Sequence, residues 1–260
     1  MAPRLIYLVR HGDTVANETT AGPTRERGWK PYPLDPAGRK EARQIAVKLG
    51  RRGIKGLVSS DLERAKETAD IIGDWLGITP AFHTQLRTWN TGDLAGKLKS
   101  EAEPVIARAV RFTPDEALPG GESFENFARR IFAALSDILA THSESPLAVI
   151  IHQRIERLIA GWKAAGAKRT HEIDADVFLQ KGELPGHIEA CQLNTSLLKL
   201  SHEEVGFGPA KKKGDRCRGC KAYGGQNNCT KVVRPIGDDD WCAVGVSKAT
   251  GRWFCPVGNE

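Results

Sequence analysis

The sequence predicts an α/β fold, a mostly parallel sheet with helices on both faces, followed by a small cysteine-rich carboxyl-terminal module. Three observations carry this prediction. Leu5 to Val9 and Leu147 to Ile151 are unbroken apolar runs, the pattern of strands covered on both sides. Between them lie segments whose apolar residues recur at helical spacing. Five of the six cysteines fall in the last 44 residues, which marks a composition break near residue 206.

The elements follow in order. The first run delivers Arg10 and His11 to a strand's carboxyl end. Residues 21–36 hold Gly22, Pro23, Gly28, Pro31, Pro33 and Pro36, a density that reads as a long loop. Asp35 followed by Pro36 is a helix start, and Ala42, Ile45, Ala46 and Leu49 repeat at helical spacing until Gly50. Gly56 to Ser59 reads as a second strand. Ser60-Asp61-Leu62-Glu63 has the capping-box pattern and opens a helix with Leu62, Ala65, Ala69, Ile72 and Leu76 inward. Arg64 then sits in that helix's first turn. A further helix fits Glu122 to Leu139, and the second apolar run ends on His152. Cys191 reads as a small buried hydrophobe in a late core strand.

The bulk properties bound the rest. With 260 residues, 40% of them hydrophobic and 27% charged, one main domain with a small appendage is expected. No apolar stretch approaches the roughly 20 residues needed to cross a bilayer. The amino terminus passes at once into a strand and leaves no room for a signal peptide, so a cytoplasmic location is expected. A net charge of +6 suits anionic partners. A phosphorylated small molecule or phosphoprotein is the expected partner, not nucleic acid or a membrane.

In sheets of this kind ligands bind beyond the carboxyl ends of the strands. Arg10, His11, Arg64 and His152 all lie just past such ends, so the topology can gather them in one pocket. Together they suit phosphoryl transfer, which needs an in-line nucleophile and cations around the equatorial oxygens. A neutral imidazole can attack phosphorus, and guanidinium forks clamp phosphate oxygens without a metal.

Leu8-Val9-Arg10-His11-Gly12-Asp13-Thr14-Val15-Ala16-Asn17 resembles the Arg-His-Gly signature of the histidine phosphatase superfamily, which includes phosphoglycerate mutases. Ser59 to Ala69 resembles that family's second signature, and Leu147 to His152 the strand bearing its second histidine. The resemblance spans roughly residues 4–200. It implies His11 as the nucleophile, Arg10, Arg64 and His152 as the phosphate pocket, and Thr14 and Asn17 beside the transferred group. It also implies no cofactor for this domain.

The chain departs from the family pattern where many members carry a glutamate as general acid. Thr88 stands there, in Leu86-Arg87-Thr88-Trp89-Asn90-Thr91-Gly92-Asp93. Asp93 is the nearest carboxylate in the same loop and the replacement to be tested. Glu122 lies in a segment that borders the pocket in relatives. General acid help is typically worth 10²–10⁴-fold, so without a substitute good leaving groups are favoured. Loops at 18–34 and 97–121 are expected to set specificity.

Residues 206–216 read as a basic linker between a domain at 1–205 and a module at 217–260. A module this small needs cross-links or a metal. In a reducing compartment Cys217 and Cys220, with Cys229 and Cys242, favour metal ligation over disulfides. Zinc is one solution and a [4Fe–4S] cluster the other. The ligand order resembles that of high-potential iron-sulfur proteins, with shorter spacing and Cys255 in addition.

The sequence thus points to a phosphomonoester hydrolase working through a phosphohistidine on His11. The rivals are a phosphate-binding or interaction protein with weak catalysis and a phosphoglycerate mutase-type phosphotransferase.

Overall fold

The computed structural model describes residues 4–16, 24–167, 172–180, 185–193 and 198, with the backbone of four short strands beyond residue 207. The expected α/β architecture is present. Five strands, β1 (Arg4–Arg10), β2 (Gly56–Ser60), β3 (Ala81–His83), β4 (Leu147–Ile151) and β5 (Ile188–Leu193), form one sheet in the order β3-β2-β4-β1-β5. All pairs are parallel except β1 with β5.

Helices cover both faces because the central strands are apolar on both. In β4, Leu147, Val149 and Ile151 join one core, with α3 (Lys99–Phe112), α4 (Phe124–Thr141) and α5 (Gln153–Ala164). The alternate residues Ala148 and Ile150 join another, with α1 (Pro36–Gly50) and α2 (Glu63–Leu76). This is the period-2 consequence of a pleated strand buried between two layers. A short α6 (Ala175–Leu179) closes the series.

Helix α1 begins as its sequence requires. Asp35 caps it by accepting from the Gly38 N–H at 2.7 Å, and Pro36 follows. The capping box expected at Ser60–Glu63 does not form. Helix α2 starts at Glu63 with Leu62 as its cap and no side-chain cap bond, because the Ser60 hydroxyl is engaged elsewhere. Helix α4 starts two residues later than expected, capped by Ser123 on the Asn126 N–H. Residues 97–121, expected as a loop, contain α3, whose Ala102, Ile106, Ala109 and Val110 are buried at helical spacing.

Cys191 is buried and free, as expected. Beyond the sheet domain, Gly208–Pro209 pairs with Asp240–Trp241 and Tyr223–Gly225 with Asn228–Cys229, both antiparallel. The side chains of Cys217, Cys220, Cys229 and Cys242, expected as metal ligands, lie outside the described residues. Among the described residues, no helix is long and apolar enough to cross a membrane.

Candidate active site

Three sequence segments far apart in the chain are tied together at the carboxyl edge of the sheet by hydrogen bonds. The His11 N–H donates to the Ile151 carbonyl at 3.2 Å, which fixes the end of β1 against the end of β4. The Thr68 hydroxyl donates to the Arg64 carbonyl at 2.7 Å and accepts from the Gly12 N–H at 3.2 Å. One side chain on α2 thereby joins the first segment to the second. The Ser60 hydroxyl lies 2.9 Å from His152 Nε2 and joins the second to the third.

Gly12 is required by close approach. A Cβ there would come within 2.4 Å of the Gly38 carbonyl oxygen, and one on Gly38 within 2.1 Å of the Asp13 carbonyl oxygen. The turn after His11 therefore rests directly on the first turn of α1, and only glycines allow it.

The two histidines meet edge-on, with ring centroids 5.1 Å apart and planes at 61°. His11 Nδ1 lies 2.7 Å from the Gly12 carbonyl. A carbonyl only accepts, so Nδ1 carries the proton and Nε2 is the basic nitrogen. Ser60 accepts from the Leu62 N–H at 3.3 Å and shares a hydrogen bond with His152 Nε2 at 2.9 Å. His152 Nδ1 is buried without a hydrogen-bond partner among the described residues.

Charge and burial keep both rings neutral. His11 and His152 are pushed well below the usual histidine range, first by burial and then by the Arg64 guanidinium. Burial also lowers Arg64, to about 9, which leaves it charged at neutral pH. Two of its nitrogens donate to the carbonyls of Gly28 at 3.0 Å and Lys30 at 3.3 Å, while its buried Nε has no hydrogen-bond partner.

These residues line a cleft of about 690 Å³ that also holds Thr88. The cleft carries eight basic side chains against three carboxylates, so it concentrates the chain's positive charge in one place. Sequence reasoning missed much of this. Arg27 lines the cleft and is lowered to about 10, by burial and then by Arg10. Glu26 makes a two-pronged pair with Arg154, at 2.6 and 2.8 Å. Burial alone would raise its carboxyl, but Arg154 brings it down to about 2. Glu26 is therefore a fixed anion that holds Arg154 in the cleft wall.

Arg10, His11, Arg64 and His152 converge as expected. Asp93 does not join them: it is exposed in a short turn at Gly92–Leu94 and is absent from the cleft lining. Glu122 is also outside the lining. Its carboxylate accepts from the Asn90 N–H at 2.8 Å and from Arg130 at 2.5 and 3.1 Å, which braces the loop carrying Thr88. Thr14 is fully buried and its backbone bridges Leu34, away from the lining. Asn17 lies outside the described residues.

Thr88 faces the cleft at 5% exposure. Its neighbour Trp89 anchors it, wholly buried among Phe124, Phe127 and Phe178, with the indole N–H donating to the Glu122 carbonyl at 2.9 Å. Among the described residues, no group of three or more His, Cys, Asp or Glu side chains could hold a metal ion.

A model of the histidine phosphatase superfamily (branch 1) matches residues 6–176. The chain belongs to that superfamily. The probable phosphoglycerate mutase GpmB of Yersinia pestis is 34% identical over 151 residues, 56% of this chain and 68% of the relative. A mycobacterial glucosyl-3-phosphoglycerate phosphatase has a similar structure, with a TM-score of 0.58 and 26% identity over 72% of this chain and 89% of that one. Mycobacterial hydrolase 2 superposes with a TM-score of 0.59 at 25% identity, over 73% of this chain and 82% of its own. Members of the superfamily related to this chain thus include both phosphatases and mutase-like proteins, and the two histidines and two arginines met here occupy one cleft.

Proposed function

We propose that the protein hydrolyses phosphomonoesters through a phosphohistidine on His11. The observation that carries the reading is the protonation geometry of His11. Its Nδ1 proton is committed to the Gly12 carbonyl, its Nε2 is basic, and its low proton affinity keeps it neutral at physiological pH. A neutral ring surrounded by guanidinium groups is a poor proton acceptor from water and still a competent nucleophile toward a bound phosphoryl group.

In the first step a bond forms between Nε2 and phosphorus while the ester P–O bond breaks and the alcohol oxygen leaves. Arg10 and Arg64 balance the charge on the equatorial oxygens, and His152 donates to one of them through Nδ1. In the second step water attacks phosphorus and the N–P bond breaks, which returns His11 and releases inorganic phosphate. No metal takes part in this scheme.

Thr88 supplies no ionisable proton, and Glu26, with its carboxyl at about 2, is ionised at working pH. Neither of these two residues can protonate the leaving oxygen, so esters of acidic alcohols are favoured. The same deficit argues for hydrolysis over mutase chemistry, which must protonate and deprotonate two sugar-acid hydroxyls in each cycle.

The test compares wild type with His11→Ala on an activated aryl phosphate and a panel of natural monoesters, with a chelator present. Turnover that survives the chelator and disappears with His11→Ala supports the reading. Binding of inorganic phosphate without turnover of any ester points instead to a phosphate-binding protein.

A further inference from the structure

We propose that Glu156, with His187 beside it, is a positioning residue for phosphoryl transfer: it stands behind Arg10 and, by gaining or losing a proton, sets how much of that guanidinium's charge reaches the phosphoryl group. This deepens the reading of His11 as a phosphoryl-accepting nucleophile and rests on it.

Three contacts place the group. Glu156 lies one turn after His152 on α5, and its N–H donates to the His152 carbonyl at 3.2 Å. Its carboxylate faces His187, with Oε1 3.5 Å from Nδ1. The His187 carbonyl in turn accepts from the Arg10 N–H at 3.0 Å, just where β5 begins to pair with β1. Glu156 thus reaches the backbone of Arg10 through a single residue, and Arg10 leads directly into His11. Glu156 is 5% exposed and does not line the cleft, whereas Arg10 does. Its place is behind the phosphate clamp, out of contact with a substrate.

Buried carboxylates ordinarily accept hydrogen bonds. Among the described residues neither oxygen of Glu156 accepts one, and the buried His187 Nδ1 makes none. An ionised carboxylate in that setting is costly, and a proton removes the cost. Burial accordingly raises the carboxyl to about 7, against the pull of Arg10 and His187. The neighbouring charges are Arg157 on the same helix, Glu189 on β5, and Asp13 and Glu41 toward Arg10. Glu189 is paired with Lys163 at 2.6 Å, and Glu41 accepts from the Asp13 N–H at 2.9 Å. After burial, Glu156 is the group that acts most on Arg10. Protonated, it is neutral and leaves Arg10 to the phosphoryl oxygens. Ionised, it competes with them for the same guanidinium. Phosphate affinity therefore weakens as pH rises through 7, and bound phosphate favours the protonated carboxyl in return.

The experiment titrates inorganic phosphate into wild type, Glu156→Gln and Glu156→Met by calorimetry at pH 6 and pH 8.5. Neither replacement ionises, and the thioether fills the buried space without polar atoms should the amide variant fail to fold. The ionisation of phosphate cancels in the ratio of wild-type to variant Kd, and the fitted stoichiometry reports the folded fraction. The proposal expects that ratio to rise about 10-fold from pH 6 to pH 8.5. The ratio of wild-type to variant kcat/KM on an aryl phosphate should fall by the same factor. A residue that only filled space would give a Kd ratio that does not move with pH, and that result overturns the proposal. Failure of wild type to bind phosphate at either pH overturns it as well. A Kd ratio that moves as expected in a protein that turns over no ester upholds the hold on Arg10 and sinks the phosphohydrolase reading instead.

Discussion

The Ser60 hydroxyl lies 2.9 Å from His152 Nε2, so a residue at the end of β2 holds the ring of a histidine at the end of β4 and leaves its Nδ1 without a partner among the described residues. Ser60→Ala removes that contact. The expected result is a fall of about 10-fold in kcat/KM on any monoester with the fold intact, because the His152 ring loses the partner that fixes its tautomer and orientation. Imidazole-nitrogen chemical shifts for wild type and variant check the tautomer directly.

Thr88 lines the cleft that holds His11 and His152, at the place in the chain where many members of the superfamily carry a glutamate. Thr88→Glu is expected to raise kcat on alkyl phosphates by about 10²-fold and to leave aryl phosphates nearly unchanged, because only poor leaving groups need the proton. Rates against leaving-group pKa should run steeply in wild type and flatten in the variant. A slope already flat in wild type would mean that another group supplies the proton.

The acid limb of activity follows from His11. Its proton affinity is depressed well below the ordinary value of 6.5, by burial and by Arg64, so the ring remains neutral as pH falls through 6. After correction for the substrate's second ionisation near pH 6, kcat/KM should hold level well below pH 6.5. The same shift carries a stability term with a definite sign. The folded state takes up fewer protons than the unfolded chain below pH 6.5, so stability present above that pH is lost as pH falls.

Glu156 works in the opposite sense. It is buried on α5, 3.5 Å from His187 Nδ1, and burial raises its carboxyl to about 7 against the pull of Arg10 and His187. Between pH 4.5 and about 7 the folded state keeps a proton that the unfolded chain has released. Stability therefore falls as pH rises across that window, by up to about 3 kcal/mol. Denaturant unfolding of wild type and Glu156→Gln at pH 5 and pH 8 should show the difference between the two proteins shifting in favour of the variant at the higher pH. A constant difference would remove Glu156 from the account.

The buried strands and the residues at their ends were legible in the sequence because uninterrupted apolar runs say that both faces are covered, and the next residue must then emerge at the sheet's edge. His11 and His152 follow from that logic alone. Arg27 was not legible, since it lies in a stretch rich in Gly and Pro with no periodicity to place it. The Glu26–Arg154 pair joins residues 128 apart and depends on how the loop folds back. Helix α3 carries its own signal in Ala102, Ile106, Ala109 and Val110, but Pro104 within it reads as a break. Asp93 shows the converse error: sequence proximity to Thr88 suggested a shared role, and the turn at Gly92, with φ at +51°, carries its side chain to the surface.

The most direct test of the central claim is to quench wild-type protein during turnover of an aryl phosphate and map the phosphoryl group by mass spectrometry under alkaline conditions, where phosphohistidine survives. The account predicts one acid-labile phosphoryl group on His11, absent from His11→Ala. A phosphoryl group on any other residue, or undiminished turnover by His11→Ala, would contradict it.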